Sequence, residues 1–341
     1  MTSRASTSSA GYPKAIYIEL TDRCNLTCPM CRCSTVKGEV LPLGTFRTIA
    51  EELLPRAVFV DLRGWGESTI LGNFDDYLTI ALSYPVQIKL ITNGTVNKPD
   101  LWRRLGREGI LVGVSVDAAD PVSFRQLRGG ADLERVLSNV RSFSEACRQA
   151  QRDPASCLYF CITASLANVE TVGDIVRMGL AEGISRFKIE PLWAHGEDPN
   201  LLHRAPSVVR QACEDLSRLA RETGARIEYS ASLLEELTVS EAAHKVCLHP
   251  WDYCYVSSRG RLGFCDHLNG RPEYTWYLWG EAPFLELWNR PEMRRLRSEH
   301  LNRLGGRRIT SCPDCNWCYD RRYMDLEDLI APEWERYRVM A

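Results

Sequence analysis

One alternation limits what this chain can fold into. From Ala15 to Thr223, short apolar runs take turns with amphipathic stretches. Strands are predicted at Ala15–Leu20, Val58–Leu62, Gln87–Thr92, Ile110–Val116, Leu158–Ala164 and Phe187–Glu190, each rich in β-branched or aromatic residues. Helices are predicted at Leu43–Leu54, Phe74–Ser83, Pro99–Arg107, Asp132–Ala150, Val169–Glu182 and Ser207–Thr223, where apolar residues recur every three or four positions. Six such βα units call for an α/β fold with a parallel sheet and right-handed crossovers. Periodicity alone leaves an open sheet and a partial barrel as alternatives.

Past Thr223 the pattern changes. Ala225–Ser230 reads as a further strand. Tyr253–Ser257 and Arg261–Phe264 alternate across Ser258-Arg259-Gly260, a hairpin pattern. A charged helix is expected around Pro291–Leu301. No apolar run is long enough to span a bilayer, and Met1–Pro13 lacks the apolar core of a secretion signal and reads as a disordered lead-in. A net charge of −2 gives no global reason to expect nucleic acid. The expectation is a cytoplasmic protein with no membrane or nucleic-acid partner.

Fourteen cysteines stand out in a chain of 341 residues. Disulfides staple small secreted domains, whereas this chain can bury a large core and shows no export signal. Metal ligation in a reducing compartment is the better reading. Cys24, Cys28 and Cys31 form a C-x3-C-x2-C loop directly after the first strand, at the edge where α/β sheets place ligands. Thiolates suit iron–sulfur clusters. Three of them on a four-iron cube leave one iron open. Zinc is the alternative and would need a fourth ligand, for which Cys33 is at hand.

At this loop the chain resembles radical S-adenosylmethionine (SAM) enzymes, and the likeness extends over further segments. Arg63-Gly64-Trp65-Gly66-Glu67-Ser68 resembles the family's glycine-rich turn, with Ser68 where the family usually has proline. Thr92-Asn93-Gly94 ends the third strand and Ser115-Val116-Asp117 the fourth; Arg128 sits in a family-like Leu-Arg-Gly-Gly segment. Met30 holds the position, before the third cysteine, that is often aromatic in the family. The resemblance implies a [4Fe–4S] cluster on Cys24, Cys28 and Cys31. It implies SAM held by Met30, Gly64, Gly66, Glu67, Asn93, Ser115, Asp117 and Arg128, and cleavage of SAM to a 5′-deoxyadenosyl radical. Taken singly, each segment has a plainer reading: tight turns at the glycines, and a helix cap at Asp117.

The later cysteines fall into Cys247/Cys254/Cys265 and Cys312/Cys315/Cys318, with Cys213 alone upstream. One thiol before a hairpin, one after it and a distant C-x2-C resemble the Twitch module, a short form of the SPASM extension. The resemblance implies one auxiliary [4Fe–4S] cluster on Cys247, Cys265, Cys312 and Cys315. Cys315 and Cys318 make an equally good C-x2-C pair, and zinc on the same thiols is the alternative. Cys147, Cys157, Cys161 and Cys213 read as small core residues. The expected organisation is a disordered 1–13, a partial (β/α)6 TIM-like barrel over 14–232, and a small α+β cluster domain over 233–341.

A fully ligated auxiliary cluster has no seat for substrate, so its expected role is to accept an electron. The expectation is an oxidoreductase, resembling aminocyclitol and aminoglycoside-pathway dehydrogenases of antibiotic biosynthesis, that oxidises a small polar sugar or cyclitol. Lys188, Glu190, Trp193 and His195 near the sixth strand's end are candidates to hold it, with Arg63, Tyr17 and His249 behind them. The runner-up is an epimerase in which Cys254 or Cys318 returns a hydrogen atom. Peptide modification is a third reading; the few residues before the first strand argue against a leader-binding domain. The expected partner is a reductant such as flavodoxin or ferredoxin.

Overall fold

The computed structural model describes residues 8–31, 38–192, 198–229, 249–265 and 274–301. Seven strands and seven longer helices follow one another through the first two-thirds: β1 (Ala15–Ile18), α1 (Leu43–Leu53), β2 (Phe59–Asp61), α2 (Phe74–Leu82), β3 (Gln87–Thr92), α3 (Pro99–Glu108), β4 (Leu111–Ser115), α4 (Pro121–Leu127), α5 (Leu133–Gln149), β5 (Leu158–Ala164), α6 (Val172–Ala181), β6 (Arg186–Pro191), α7 (Pro206–Thr223) and β7 (Arg226–Tyr229). A one-turn helix α8 (His249–Asp252) leads into β8 (Tyr253–Val256). Then come β9 (Arg261–Gly263), β10 (Thr275–Leu278), α9 (Phe284–Trp288) and α10 (Pro291–Leu301).

All ten strands share one sheet, in the order β10-β9-β8-β1-β2-β3-β4-β5-β6-β7. Strands β8 and β1 to β7 run parallel; β9 and β10 add an antiparallel edge. The architecture is the α/β partial-barrel class with a C-terminal extension. The six expected strands and six helices are present to within a few residues, as are the hairpin and the Pro291–Leu301 helix.

Two features depart from expectation. Strand β8 does not merely begin a separate hairpin: it lies beside β1, with Ala15 opposite Tyr253 and Tyr17 opposite Tyr255, and extends the parallel sheet. Helix α4 escaped the periodicity because it is only seven residues long. Its start is set chemically, by Pro121 in the first turn and by Asp120, whose carboxylate accepts the Val122 and Ser123 N–H groups at 3.0 Å.

The sheet has two unlike faces. Ile16, Ile18, Val60, Leu90, Val112, Val114, Phe160, Ile162, Phe187 and Ile189 pack against the helices as the main core. Alternate residues face the other way, as the two-residue period of a strand requires. There Ala15, Tyr17, Phe59, Tyr253 and Tyr255 form a small aromatic cluster. Beside it the same face carries Asp61, Lys89, Tyr159, Cys161, Arg186, Lys188 and Glu190.

Candidate active site at the carboxyl ends of the parallel strands

The chain leaves β1 straight into the Cys24–Cys31 loop, and three other strand ends hold that loop in place. The first support is the turn after β2. The Glu67 N–H donates to the Arg23 carbonyl at 2.7 Å. A Cβ on Gly66 would collide with the backbone of Thr21 and Arg23, so only glycine allows this approach. Glu19, at the end of β1, reaches over the same turn. Its carboxylate accepts the Trp65 N–H at 2.8 Å and the Ser258 N–H at 2.9 Å, tying the turn to the β8–β9 hairpin. Where the family usually has proline, the Ser68 hydroxyl donates to the Leu62 carbonyl at 2.6 Å.

Glu67 is buried and fully occupied. One oxygen accepts from Thr69 N–H, Thr69 Oγ1 and Thr92 Oγ1; the other accepts from the Asn93 N–H at 2.6 Å. A buried carboxylate with this many donors fixes backbone. The Glu67 side chain thus joins the β2 turn to the end of β3 and positions the residues beside it.

Asn93, which Glu67 positions, reaches the cluster loop itself. Its amide nitrogen lies 3.8 Å from Cys24 Sγ and donates to Asn25 Oδ1 at 2.9 Å. The Leu26 N–H points at the same sulfur from 3.4 Å. On the other side stands the segment after α4. Gly129 has φ +55° and its Cβ would run into the backbone of Thr27 and Cys28, so the Leu-Arg-Gly-Gly segment is built to lie flat on the loop. Arg128 pairs with Asp117 at 3.1 Å, and Asp117 also accepts the Thr163 N–H at 2.7 Å. Burial pushes the Asp117 carboxyl up, with Arg128 pulling it down. Like Glu67, the Asp117 carboxylate holds its neighbours in place, here Arg128.

The thiols show the effect of this cradle. Burial raises Cys24 above the ordinary thiol range, and Cys28 likewise, the latter eased by the Arg128 charge. Arg128 Nε is buried and has no hydrogen-bond partner among the described residues. Three thiols on one short loop, two N–H donors aimed at one sulfur and a buried guanidinium beside another suit an anionic iron–sulfur group, whose charge and potential such donors set. Among the described residues, no three Cys, His, Asp or Glu side chains gather as they would around one metal ion. Met30 is half-buried in the loop, and Ser115 lies at the strand end opposite Cys161.

Below the loop lies the polar face of the sheet. Lys188 Nζ pairs with Glu190 at 2.6 Å, and Arg63 Nε with Asp61 at 3.0 Å. Arg63 lies over the Tyr17 ring and donates to its hydroxyl at 3.2 Å. Tyr17 stacks on Tyr253, whose other neighbour is His249. Three candidates far apart in sequence, Tyr17, Arg63 and His249, thus come together. Cys161, expected in the core, is half-buried on this face. Burial pushes its thiol up to about 11, although Lys188, Arg63 and Lys89 pull it down.

Cys254 is elsewhere. It is fully buried opposite Ile16 and belongs to the helix-side core, one residue out of phase with Tyr253 and Tyr255. Burial raises its thiol strongly. A hydrogen donor must reach the substrate, so the expected role of Cys254 is corrected. Cys265 is buried at the end of β9. Cys247, Cys312, Cys315, Cys318, Trp193 and His195 lie outside the described residues.

Comparison with known proteins agrees with these observations. Residues 18–152 match the Radical SAM superfamily and residues 247–316 the iron–sulfur cluster-binding SPASM domain. The AdoMet-dependent heme synthase of Methanosarcina barkeri is 24% identical over 84% of this chain and 85% of its own length. Mycofactocin maturase MftC of Mycolicibacterium smegmatis is 28% identical over 39% of this chain and 35% of its own. Streptococcus suis SuiB superposes with TM-score 0.68 at 16% identity, over 84% of this chain and 68% of SuiB. The anSMEcpe structure with bound AdoMet gives 0.64 at 16% identity, over 91% and 88%. The likeness to BtrN, bound to AdoMet and 2-DOIA, has a TM-score of 0.41 and carries no argument for an aminocyclitol substrate.

Proposed function

We propose that this chain is a radical SAM enzyme, its barrel followed by a SPASM iron–sulfur domain, that takes a hydrogen atom from a small polar substrate seated on the polar face of the sheet. The observation that carries this reading is the continuity of the two regions. Arg63 reaches down to Asp61 and Tyr17 on that face, and the next residues form the turn that supports the cysteine loop. When bound, the cluster and SAM supply hydrogen abstraction by a 5′-deoxyadenosyl radical. Cys24, Cys28 and Cys31 hold the cluster, and Asn93, the Leu26 N–H and Arg128 offset its charge. Met30, Gly64, Gly66 and Ser115 line the place for SAM. Lys188 and Glu190 orient the substrate, since paired charged groups at a half-buried site reject partners that leave them unmatched.

In the first reading the substrate loses a second electron and a hydroxyl proton, and leaves as a ketone. Cys265 with Cys247, Cys312 and either Cys315 or Cys318 would hold an auxiliary cluster, which would supply the electron acceptor that this oxidation needs. A flavodoxin- or ferredoxin-type reductant supplies the electron that starts each turnover. A second reading is favoured by the half-buried Cys161 on the polar face: the thiol returns a hydrogen atom to the substrate, the reductant restores the resulting thiyl with one electron and a proton, and the substrate's oxidation level stays unchanged. Mycofactocin maturase and the structure of SuiB bound to precursor peptide SuiA bring peptides into the panel of substrates to be tried. The test is anaerobic turnover in D2O with mass analysis of sugars, cyclitols and peptides. One SAM consumed per ketone formed supports the first reading. Solvent deuterium at carbon, lost in Cys161→Ala, replaces it with the second. Failure to form 5′-deoxyadenosine with any iron-loaded preparation defeats both.

A further inference from the structure

Asn93 sits on a backbone held from both sides. Its own N–H donates to Glu67 at 2.6 Å, and the Asn139 amide, on α5, donates to the Gly94 and Val96 carbonyls at 2.8 and 3.1 Å. The side chain is fixed as firmly. Asn93 Oδ1 accepts the Thr95 N–H at 3.0 Å and the Thr95 hydroxyl at 2.7 Å. A backbone N–H can only donate, so the amide oxygen must face Thr95 and the amide nitrogen must face the cysteine loop. That nitrogen donates to Asn25 Oδ1 at 2.9 Å and lies 3.8 Å from Cys24 Sγ. Asn25 closes a ring, because its own amide nitrogen donates to Thr95 Oγ1 at 2.9 Å. A turn after β3 accounts for the Thr95 N–H bond alone. It does not call for a hydroxyl that bridges Asn93 to Asn25 on the cysteine loop.

We infer that Thr95 and Asn25 are positioning residues: the ring they close turns the Asn93 amide nitrogen toward Cys24, and the donated N–H raises the reduction potential of the cluster that the loop holds. The inference rests on Cys24, Cys28 and Cys31 being that cluster's ligands. The Leu26 N–H approaches Cys24 Sγ at 3.4 Å from the loop itself. Asn93 adds a second donor from another element, the end of β3. Hydrogen bonds to a ligating sulfur favour the reduced, more negative state of an iron–sulfur cluster. Both donors are neutral, so they act through direction alone. An Asn93 amide turned by half a revolution would present its oxygen to the sulfur and disfavour reduction. Thr95 thereby sets the sign of the Asn93 effect.

The test is a redox titration of the anaerobically reconstituted full chain, followed by electron paramagnetic resonance. The signal that changes when SAM is added reports the loop's cluster and separates it from an auxiliary one. Asn93→Ala removes the amide, and Thr95→Val removes the hydroxyl while keeping the shape of the side chain. The midpoint potential is expected to fall in both. The fall is about 59 mV in Asn93→Ala, a tenfold change in a one-electron equilibrium, and smaller in Thr95→Val. Thr95→Ser restores the hydroxyl and with it the wild-type potential. An unchanged potential in Asn93→Ala or in Thr95→Val overturns the inference. So does a fall in Thr95→Val that Thr95→Ser fails to reverse. Loss of iron from either variant does so too, since the ring would then be a support of the loop and nothing more. Equal iron in the wild type and a Cys24/Cys28/Cys31→Ala variant would instead defeat the ligand assignment on which the inference rests.

Discussion

The cysteine loop and the polar face beneath it are held in opposite ways. Around the loop, charged side chains are buried and spent: Glu19 on two backbone N–H groups, Glu67 on four donors, Asp117 on Arg128 and a backbone N–H. Close backbone contact at Gly66 and Gly129 completes the cradle. On the polar face, Lys188, Glu190 and Arg63 are partly exposed, and Cys161 is half-buried. The first arrangement suits a group that must always sit in one place, because its buried carboxylates are already matched to neighbouring donors. The second suits a molecule that arrives and leaves, because half-solvated charges can exchange water for substrate at modest cost.

The contrast can be broken at either end. The largest effect is expected at the loop: Cys28→Ala should remove about four irons per chain after anaerobic reconstitution, a whole cube. Loss of none would show that the loop is no ligand set. Next comes Glu67→Ala, which strands several buried donors and should cost ~3 kcal/mol in urea unfolding. A cost near zero would mean that the carboxylate is dispensable to the cradle. Gly129→Ala forces a side chain into left-handed backbone against the loop, for ~1–3 kcal/mol, and should lower iron content while leaving the polar face intact. The smallest effect is in kinetics. Since burial pushes the Cys161 thiol up to about 11, only its minor thiolate form reacts at lower pH. Its alkylation by iodoacetamide should therefore climb about tenfold per pH unit from 8 to 10, where an unperturbed thiol levels off. A plateau near pH 9 would place Cys161 in ordinary solvent.

The cluster end was largely legible in the sequence, because its signals are local. Cysteine spacing, glycines at strand ends and the βα alternation are all read within a few residues of themselves. What escaped depends on long-range pairing. Nothing near Tyr253 announces that it lies beside Ala15, yet that pairing decides which of the β8 residues join the polar face. Cys254 illustrates the cost: a shift of one residue along a strand moves a side chain through the sheet, and the thiol expected at the substrate faces the helices instead. Cys161 is the converse error, since an apolar run hides which of its members lies on the polar face of the sheet. Glu67 and Asp117 were found as strand-end polar residues, but sequence does not show which partners consume a carboxylate. Glu19 gave no signal at all, being an acid whose two backbone partners lie on segments far away along the chain.

The central claim is that the Cys24–Cys31 loop is the centre at which SAM is cleaved. The direct measurement is 5′-deoxyadenosine formation from SAM under dithionite, without oxygen, by the reconstituted wild-type chain and by a Cys24/Cys28/Cys31→Ala variant. The account predicts formation by the wild type and none above background by the variant. Equal formation by both, or none by an iron-loaded wild type, would contradict it.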